Sequence, residues 1–190
     1  MTFNHVVFDH VPPWTEDEYL ALDETTSLVE LVRGALWVSP SPNDGFHQEV
    51  LGQLVGVLRT AAANTEFEAV GRVNARLAPD TITNPDFVVA TKAGRGTLVV
   101  DAANIRLIGE ITTPDSALID RSFKPHLYAA AGIEWFLLVE LDYATYSAAL
   151  RLHRLATDHY VKHAAAKPGQ SLKLDDPFSC EIDAAALVRT

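Results

Sequence analysis

Apolar and polar positions along this chain follow two different periods, and the switches between them mark out the elements of an α/β protein. From Phe46 to about Ala62 the residues Val50, Leu51, Leu54, Val55 and Leu58 recur at helical spacing, which predicts an amphipathic helix. His47 falls on the Leu51, Leu54 and Leu58 face and is expected to point inward. The turn-rich run Ser39–Asp44 precedes it, and Asp44 is a candidate N-cap. A shorter helix is predicted through Tyr19 and Leu22, with Thr15 as N-cap and Glu18 completing a capping box. A third covers Ile119 to Ala131 and closes at Gly132, a natural helix stop.

Elsewhere the segments alternate with period two or are uniformly apolar, as strands are. Leu28–Val32 and Ala35–Val38, joined at Arg33-Gly34, read as a hairpin. Val70–Leu77, Pro85–Thr91, Ile105–Thr113 and Glu134–Leu141 read as strands, with a turn around residues 93–96. Ser147–Leu155 and His159–Ala164 read as a second hairpin, and Phe178–Ile182 as an edge strand. Strands interleaved with helices predict a central mixed sheet flanked by helices, with added β-hairpins. With no internal repeat or low-complexity linker, the expected organisation is one domain over residues 11–190 behind an N-terminal arm of residues 1–10.

Composition narrows the setting. A chain of 190 residues that is 48% hydrophobic and 21% charged fits a folded domain with a substantial core. The one cysteine, Cys180, excludes an intramolecular disulfide and fits a reducing compartment. The start has no secretory pattern and no apolar run spans a bilayer, so a cytoplasmic protein without membrane contact is expected. The net charge of −10 sets 15 Lys and Arg against 25 Asp and Glu. That argues against tight, non-specific binding through the broad basic surface by which most proteins hold nucleic acid. An acidic enzyme of nucleic acid would need a local basic groove, or metal ions that neutralise an acidic centre.

Two carboxylates fall in or at the edge of predicted strands. Asp86 follows Pro85 at a strand entrance, and Glu110 lies mid-strand on the face it shares with Ile108 and Thr112. A carboxylate on a buried strand is costly unless paired, hydrogen-bonded or bound to metal. If the two strands are neighbours, the carboxylates converge and one must take up a proton unless a divalent cation relieves them. Oxygen ligands favour Mg²⁺ or Mn²⁺. Lys124 downstream is placed to orient a water or hold a phosphate. Plainer readings stand beside these: Asp86 as a turn residue, Glu110 in an ion pair with Arg72 or Arg76, and Lys124 in an i,i+4 pair with Asp120 on a helix surface. Zinc is not expected at His153, His159 and His163, which lack a ligand pair framed by a turn. Gly94-Arg95-Gly96 reads as a hairpin turn, and Trp37, Trp135 and Phe136 as core.

The ordered set Glu30-Leu31-Val32-x-Gly34, His47-Gln48, Pro85-Asp86, Glu110-Ile111-Thr112-Thr113-Pro114 and Asp120-x3-Lys124-x3-Tyr128-x3-Gly132-Ile133 resembles the Uma-type family of putative restriction endonucleases, in the PD-(D/E)XK nuclease superfamily. The match runs from about Thr15 to beyond Asp142. The resemblance implies a restriction-endonuclease-like core with Asp86 and Glu110 as metal ligands, and an activity that hydrolyses phosphodiester bonds in DNA. In the superfamily a lysine lies two residues after the glutamate. This chain has Thr112 there, and a hydroxyl does not replace an ammonium, so the family pattern offers Lys124 instead. Pro125 fits beside it if the helix effectively starts near Ser122. Glu30 matches an early glutamate and stands as a third catalytic carboxylate; His47 and Thr112 are accessory candidates. Cutting both strands of a duplex suits a homodimer. The rival reading is a non-catalytic binding or assembly module that keeps the nuclease fold, supported by the acidic surface and the absent Glu-x-Lys lysine. A phosphodiesterase acting on RNA or a small nucleotide is a third.

Overall fold

The computed structural model describes residues 10–22, 27–40, 44–92, 99–114 and 116–188; the arm before His10 and the turn around residues 93–96 lie outside them. Thr15 caps α1 (Glu16–Leu20), and the Glu18 carboxylate returns to the Thr15 N–H to complete the capping box. Strands β1 (Ser27–Val32) and β2 (Ala35–Pro40) form the expected antiparallel hairpin. Its two-residue turn holds Arg33 at φ 51° and Gly34 at φ 74°, the left-handed pair whose twist matches that of the flanking strands. Glycine is required at 34 for space as well, since a Cβ there would lie 2.7 Å from the Pro13 Cβ. Asp44 accepts the His47 N–H at the start of α2 (Gly45–Ala62), and His47 is completely buried on the inner face.

The stretch Val70–Leu77, expected as one strand, is two strands in different sheets. Arg72 takes φ 48°, so β3 (Phe67–Gly71) ends there and β4 (Asn74–Ala78) departs in a new direction. A left-handed residue breaks the pleat, and arginine carries no sequence signal for one. Strand β5 (Thr81–Thr83) then leads to β6 (Phe87–Thr91), followed by β7 (Val99–Asp101) and β8 (Ile105–Thr112). At three residues each, β5 and β7 are too short to show a period.

After β8 the chain crosses over to β9 (Trp135–Asp142), which pairs with β8 in parallel. The crossover holds a correction to the continuous helix expected from Ile119. Ile119–Phe123 forms a π-helical turn that runs into α3 (Lys124–Ala130). Pro125 has no N–H to offer the fourth carbonyl back, while the Lys124 N–H bonds the carbonyl of Ile119, five residues earlier. Strands β10 (Ser147–Ala156) and β11 (His159–Ala166) complete the second hairpin. The segment expected as an edge strand is β13 (Cys180–Asp183); it pairs with β12 (Ser171–Leu174) in a separate two-stranded ribbon rather than joining the main sheet.

The central sheet runs β11-β10-β9-β8-β6-β3, and a second runs β2-β1-β5-β4-β7. Helix α2 and the β12–β13 ribbon cover one face of the central sheet, over Phe87, Val89, Leu107, Leu137 and Val139. Tyr128 and Ile133 cover the other, over Val88, Ile108, Phe136 and Leu138. Trp14, Tyr19, Leu31 and Ile82 form a smaller cluster beside α1. This is the mixed α/β architecture, with flanking helices and added hairpins, that the hydrophobic pattern predicts. The Phe87 ring lies directly over Gly109 of β8, where a Cβ would sit 2.0 Å from its Cζ. That contact presses β6 against β8 at the point where the candidate carboxylates leave the sheet.

Candidate active site

Strand register brings the predicted residues together. Phe87 pairs with Gly109 across β6 and β8, so one step on in the same antiparallel register Asp86 faces Glu110. The Leu31–Ile82 pairing carries β1 to β5, and Glu30 there accepts the Asn84 N–H at 2.7 Å, two residues before Asp86. Lys124 enters from the first turn of α3. Its ammonium is 3.1 Å from Glu110 Oε1, 3.5 Å from Glu30 Oε1 and 3.8 Å from Asp120 Oδ1. All of these side chains, and Asp86, are buried.

Each carboxylate is held by a different partner. Asp86 Oδ2 accepts the Ile111 N–H at 2.7 Å, and its Oδ1 lies 3.1 Å from Nε2 of the buried His47. The Tyr128 hydroxyl donates to Glu110 in a short hydrogen bond. Four buried carboxylates therefore stand around one lysine and one histidine. Burial pushes Glu110 well above the usual carboxylate range, and the negative charges of Asp120 and Asp86 add to that, against the pull of Lys124 and Tyr128. Asp120 is pushed up to about 6, chiefly by burial. Burial works against the Lys124 charge, but Glu110, Glu30 and Asp120 outweigh it and hold the ammonium above its ordinary value. A site with surplus, partly proton-holding carboxylates is one that a divalent cation would stabilise.

The cluster opens on a cavity of about 550 Å³, into which Glu30, Asp86, Glu110, Asp120 and Lys124 face. The first hairpin adds apolar lining: Leu28, Leu36, Trp37 and Val38. Trp37 is thus not the core residue expected from the sequence. It is half-buried, stacks on Phe123 with ring centroids 4.3 Å apart, and lines the cavity. Trp135 and Phe136 are core residues as expected. His47 and Thr112 stand behind the cavity: His47 against Asp86, and Thr112 with its hydroxyl donated to the Val139 carbonyl at 3.3 Å.

The plainer readings fare differently. Arg76 pairs with Glu16 and Asp101 rather than Glu110. The Lys124–Asp120 pair forms, but buried in the site and not on a helix surface. His153 stacks on Phe136, His163 meets Trp135 edge-on, and His159 pairs with Asp158, so the three histidines do not converge. Among the described residues no three His, Cys, Asp or Glu side chains form a ready ligand set; the Lys124 ammonium stands among the carboxylates. Two residues outside the predicted set of site residues, Asp120 and Tyr128, belong to the cluster. Their spacing was the available signal: Asp120, Lys124 and Tyr128 follow one another at four-residue intervals along one helical face.

The family model described as Uma2, putative restriction endonuclease, matches residues 16–186. No curated protein matches the chain. Among solved structures, the crystal structure of a putative nuclease belonging to DUF820 from Anabaena variabilis superposes with a TM-score of 0.70, covering 92% of this chain and 97% of that one at 18% identity. That likeness establishes the shared fold. No described helix is long and apolar enough to cross a membrane.

Proposed function

Because the chain belongs to the Uma2 family of putative restriction endonucleases, we propose that it is a divalent-metal-dependent endonuclease that hydrolyses phosphodiester bonds in DNA. The observation that carries this reading is the buried convergence of Asp86 and Glu110 from adjacent strands, beside the Lys124 ammonium and facing a cavity. The donor set fits Mg²⁺ or Mn²⁺: hard carboxylate oxygens, more of them than the fixed positive charge can balance, and magnesium is commonly held by only one or two carboxylates. When bound, such a cation lowers the pKa of water and offsets charge on a phosphate oxygen.

The chain's own residues supply the rest. Asp86 and Glu110 would hold the cation. The Ile111 N–H fixes the Asp86 carboxylate, with His47 Nε2 3.1 Å from its other oxygen, and the Tyr128 hydroxyl fixes that of Glu110. Lys124 holds the phosphate or orients the attacking water, its charge set against the negative charge that grows in the transition state. Glu30, anchored by the Asn84 N–H, keeps Lys124 in place. Thr112 closes the site from behind through its bond to Val139. A homodimer would present one such site to each strand of a duplex, which sedimentation of the purified protein tests.

Supercoiled plasmid incubated with Mg²⁺ or Mn²⁺ tests the proposal. Wild type is expected to nick it, and Asp86→Ala or Glu110→Ala to abolish nicking while leaving the fold intact. Wild-type rates in both variants would remove these carboxylates from the mechanism. RNA and nucleotide substrates assayed in parallel decide the substrate class. One observation favours the rival reading of a non-catalytic module: Lys124 already reaches three of the carboxylates without any metal. Such a module would gain no thermal stability from Mn²⁺, whereas a cation selective for the folded state raises it by mass action.

A further inference from the structure

We propose that a second cavity, on the far side of α3 from the carboxylate cluster, is a phosphate subsite for the polynucleotide strand. The identity of the strand rests on the nuclease reading; the site itself rests on separate observations. The π-helical turn and the start of α3 divide the two cavities: Asp120 and Lys124 face the first, while Arg121 and His126 face the second, which measures about 330 Å³. The floor of the second is aromatic, with the Phe136 and Tyr160 rings 5.5 Å apart. Its fixed positive charges are Arg121 and Arg151, both about half exposed. On a chain of net charge −10, this cavity sets two arginines against one carboxylate, Glu140.

Strand register gives its position. Glu110 of β8 pairs with Leu138 of β9, and Leu138 pairs with Arg151 of β10. These three residues form one row across the sheet, so Arg151 stands two strand spacings from Glu110, roughly 10 Å. Nucleic acid advances about 3.4 Å per nucleotide along each strand. That rise is measured along the helix axis and consecutive phosphates of one strand lie further apart than it, so a phosphate at Arg151 would belong to a nucleotide close to the one at the carboxylate cluster.

The chemistry is that of a phosphate clamp whose place is kept by a carboxylate. The two oxygens of Glu140 each take one arginine: Arg121 Nη2 at 2.9 Å on one, and Arg151 Nε in a short contact on the other. Planar guanidinium groups suit a phosphate as well as a carboxylate, and a phosphate brings more acceptor oxygens. His126 and His153 line the same cavity.

Binding of a short fluorescein-labelled DNA strand, followed by anisotropy in EDTA across a salt series, tests the subsite without cleavage. In the Arg121→Gln, Arg151→Gln double variant, Kd is expected to rise about tenfold and the slope of log K against log salt to fall by about one. Equal affinity and equal slope in the two proteins would overturn the proposal, as would a wild type that binds no strand. If inorganic phosphate alone shifts the His126 and His153 resonances while strand affinity is the same in both proteins, the cavity takes free phosphate and its assignment to the strand is overturned. If the double variant does not fold, Glu140→Gln carries the test: freeing both arginines should tighten strand binding several-fold, and an unchanged Kd would overturn the proposal. Nicking by Asp86→Ala speaks to the nuclease reading alone, so the two can fail separately.

Discussion

Replacing Lys124 by methionine removes the single ammonium that three buried carboxylates share, at 3.1, 3.5 and 3.8 Å. Methionine keeps much of the volume and none of the charge, so the loss is electrostatic. Breaking a buried ion pair on one side costs roughly 3–5 kcal/mol, against a total stability of about 5–15 kcal/mol for a domain. Lys124→Met should therefore fold only marginally at pH 7.5 in EDTA. Two conditions should restore it. At pH 5 the stranded carboxylates take up protons, Glu110 first because burial already pushes it up. At pH 7.5, Mn²⁺ should replace the missing positive charge. Urea unfolding followed by tryptophan fluorescence, with Trp14, Trp37 and Trp135 as reporters, measures all three conditions. A penalty below about 1 kcal/mol at pH 7.5, or one that is the same at pH 5, would refute the argument that these groups form one coupled cluster.

Asp120 sits at about 6 in the fold against an ordinary 3.8. A carboxyl raised by folding stabilises the native state at low pH, and that contribution is lost as pH rises through about 6. Between pH 4 and 7 wild type should lose up to roughly 3 kcal/mol that Asp120→Asn does not; parallel stability profiles would contradict this. Gly109→Ala drives a methyl into the Phe87 ring, and overpacking of a filled core costs about 1–3 kcal/mol or more. Adding Phe87→Leu should recover most of that loss in chemical denaturation, and no recovery would place the strain elsewhere. Arg33→Asn, at φ 51° in the first hairpin turn, should raise stability by about 1 kcal/mol because asparagine tolerates the left-handed region; a lower Tm would count against that turn geometry.

The parts of the fold that were legible in the sequence are those where one period persists. The α2 stripe, the capped α1 and the Arg33-Gly34 hairpin all stand where pattern and turn chemistry agree. The break at Arg72 and the π-helical turn before Pro125 were not legible, because each is a backbone choice with no matching residue preference. The site shows the same division. Asp86 and Glu110 were conspicuous because charge on a buried strand demands a reason. Tyr128 stood only as a position of the family pattern, and Asp120 looked like a surface partner for Lys124. The packing of the π-helical turn beside the sheet shows Asp120 to be a buried fourth carboxylate. Trp37 was misread because alternation says which face a side chain takes, and not whether that face meets core or cavity. Arg121 and Arg151 lie thirty positions apart in the chain, and β9 and β10 have to pair before they share a wall.

The most direct test of the proposed metal centre is calorimetric titration of Mn²⁺ into purified wild-type protein and Asp86→Ala, at a pH above 6 where Asp120 is ionised. A binding isotherm in wild type that disappears in the folded variant is the expected result. Folded wild type that takes up no Mn²⁺, or Asp86→Ala that binds it with unchanged affinity, would contradict the assignment of this carboxylate pair as the metal site.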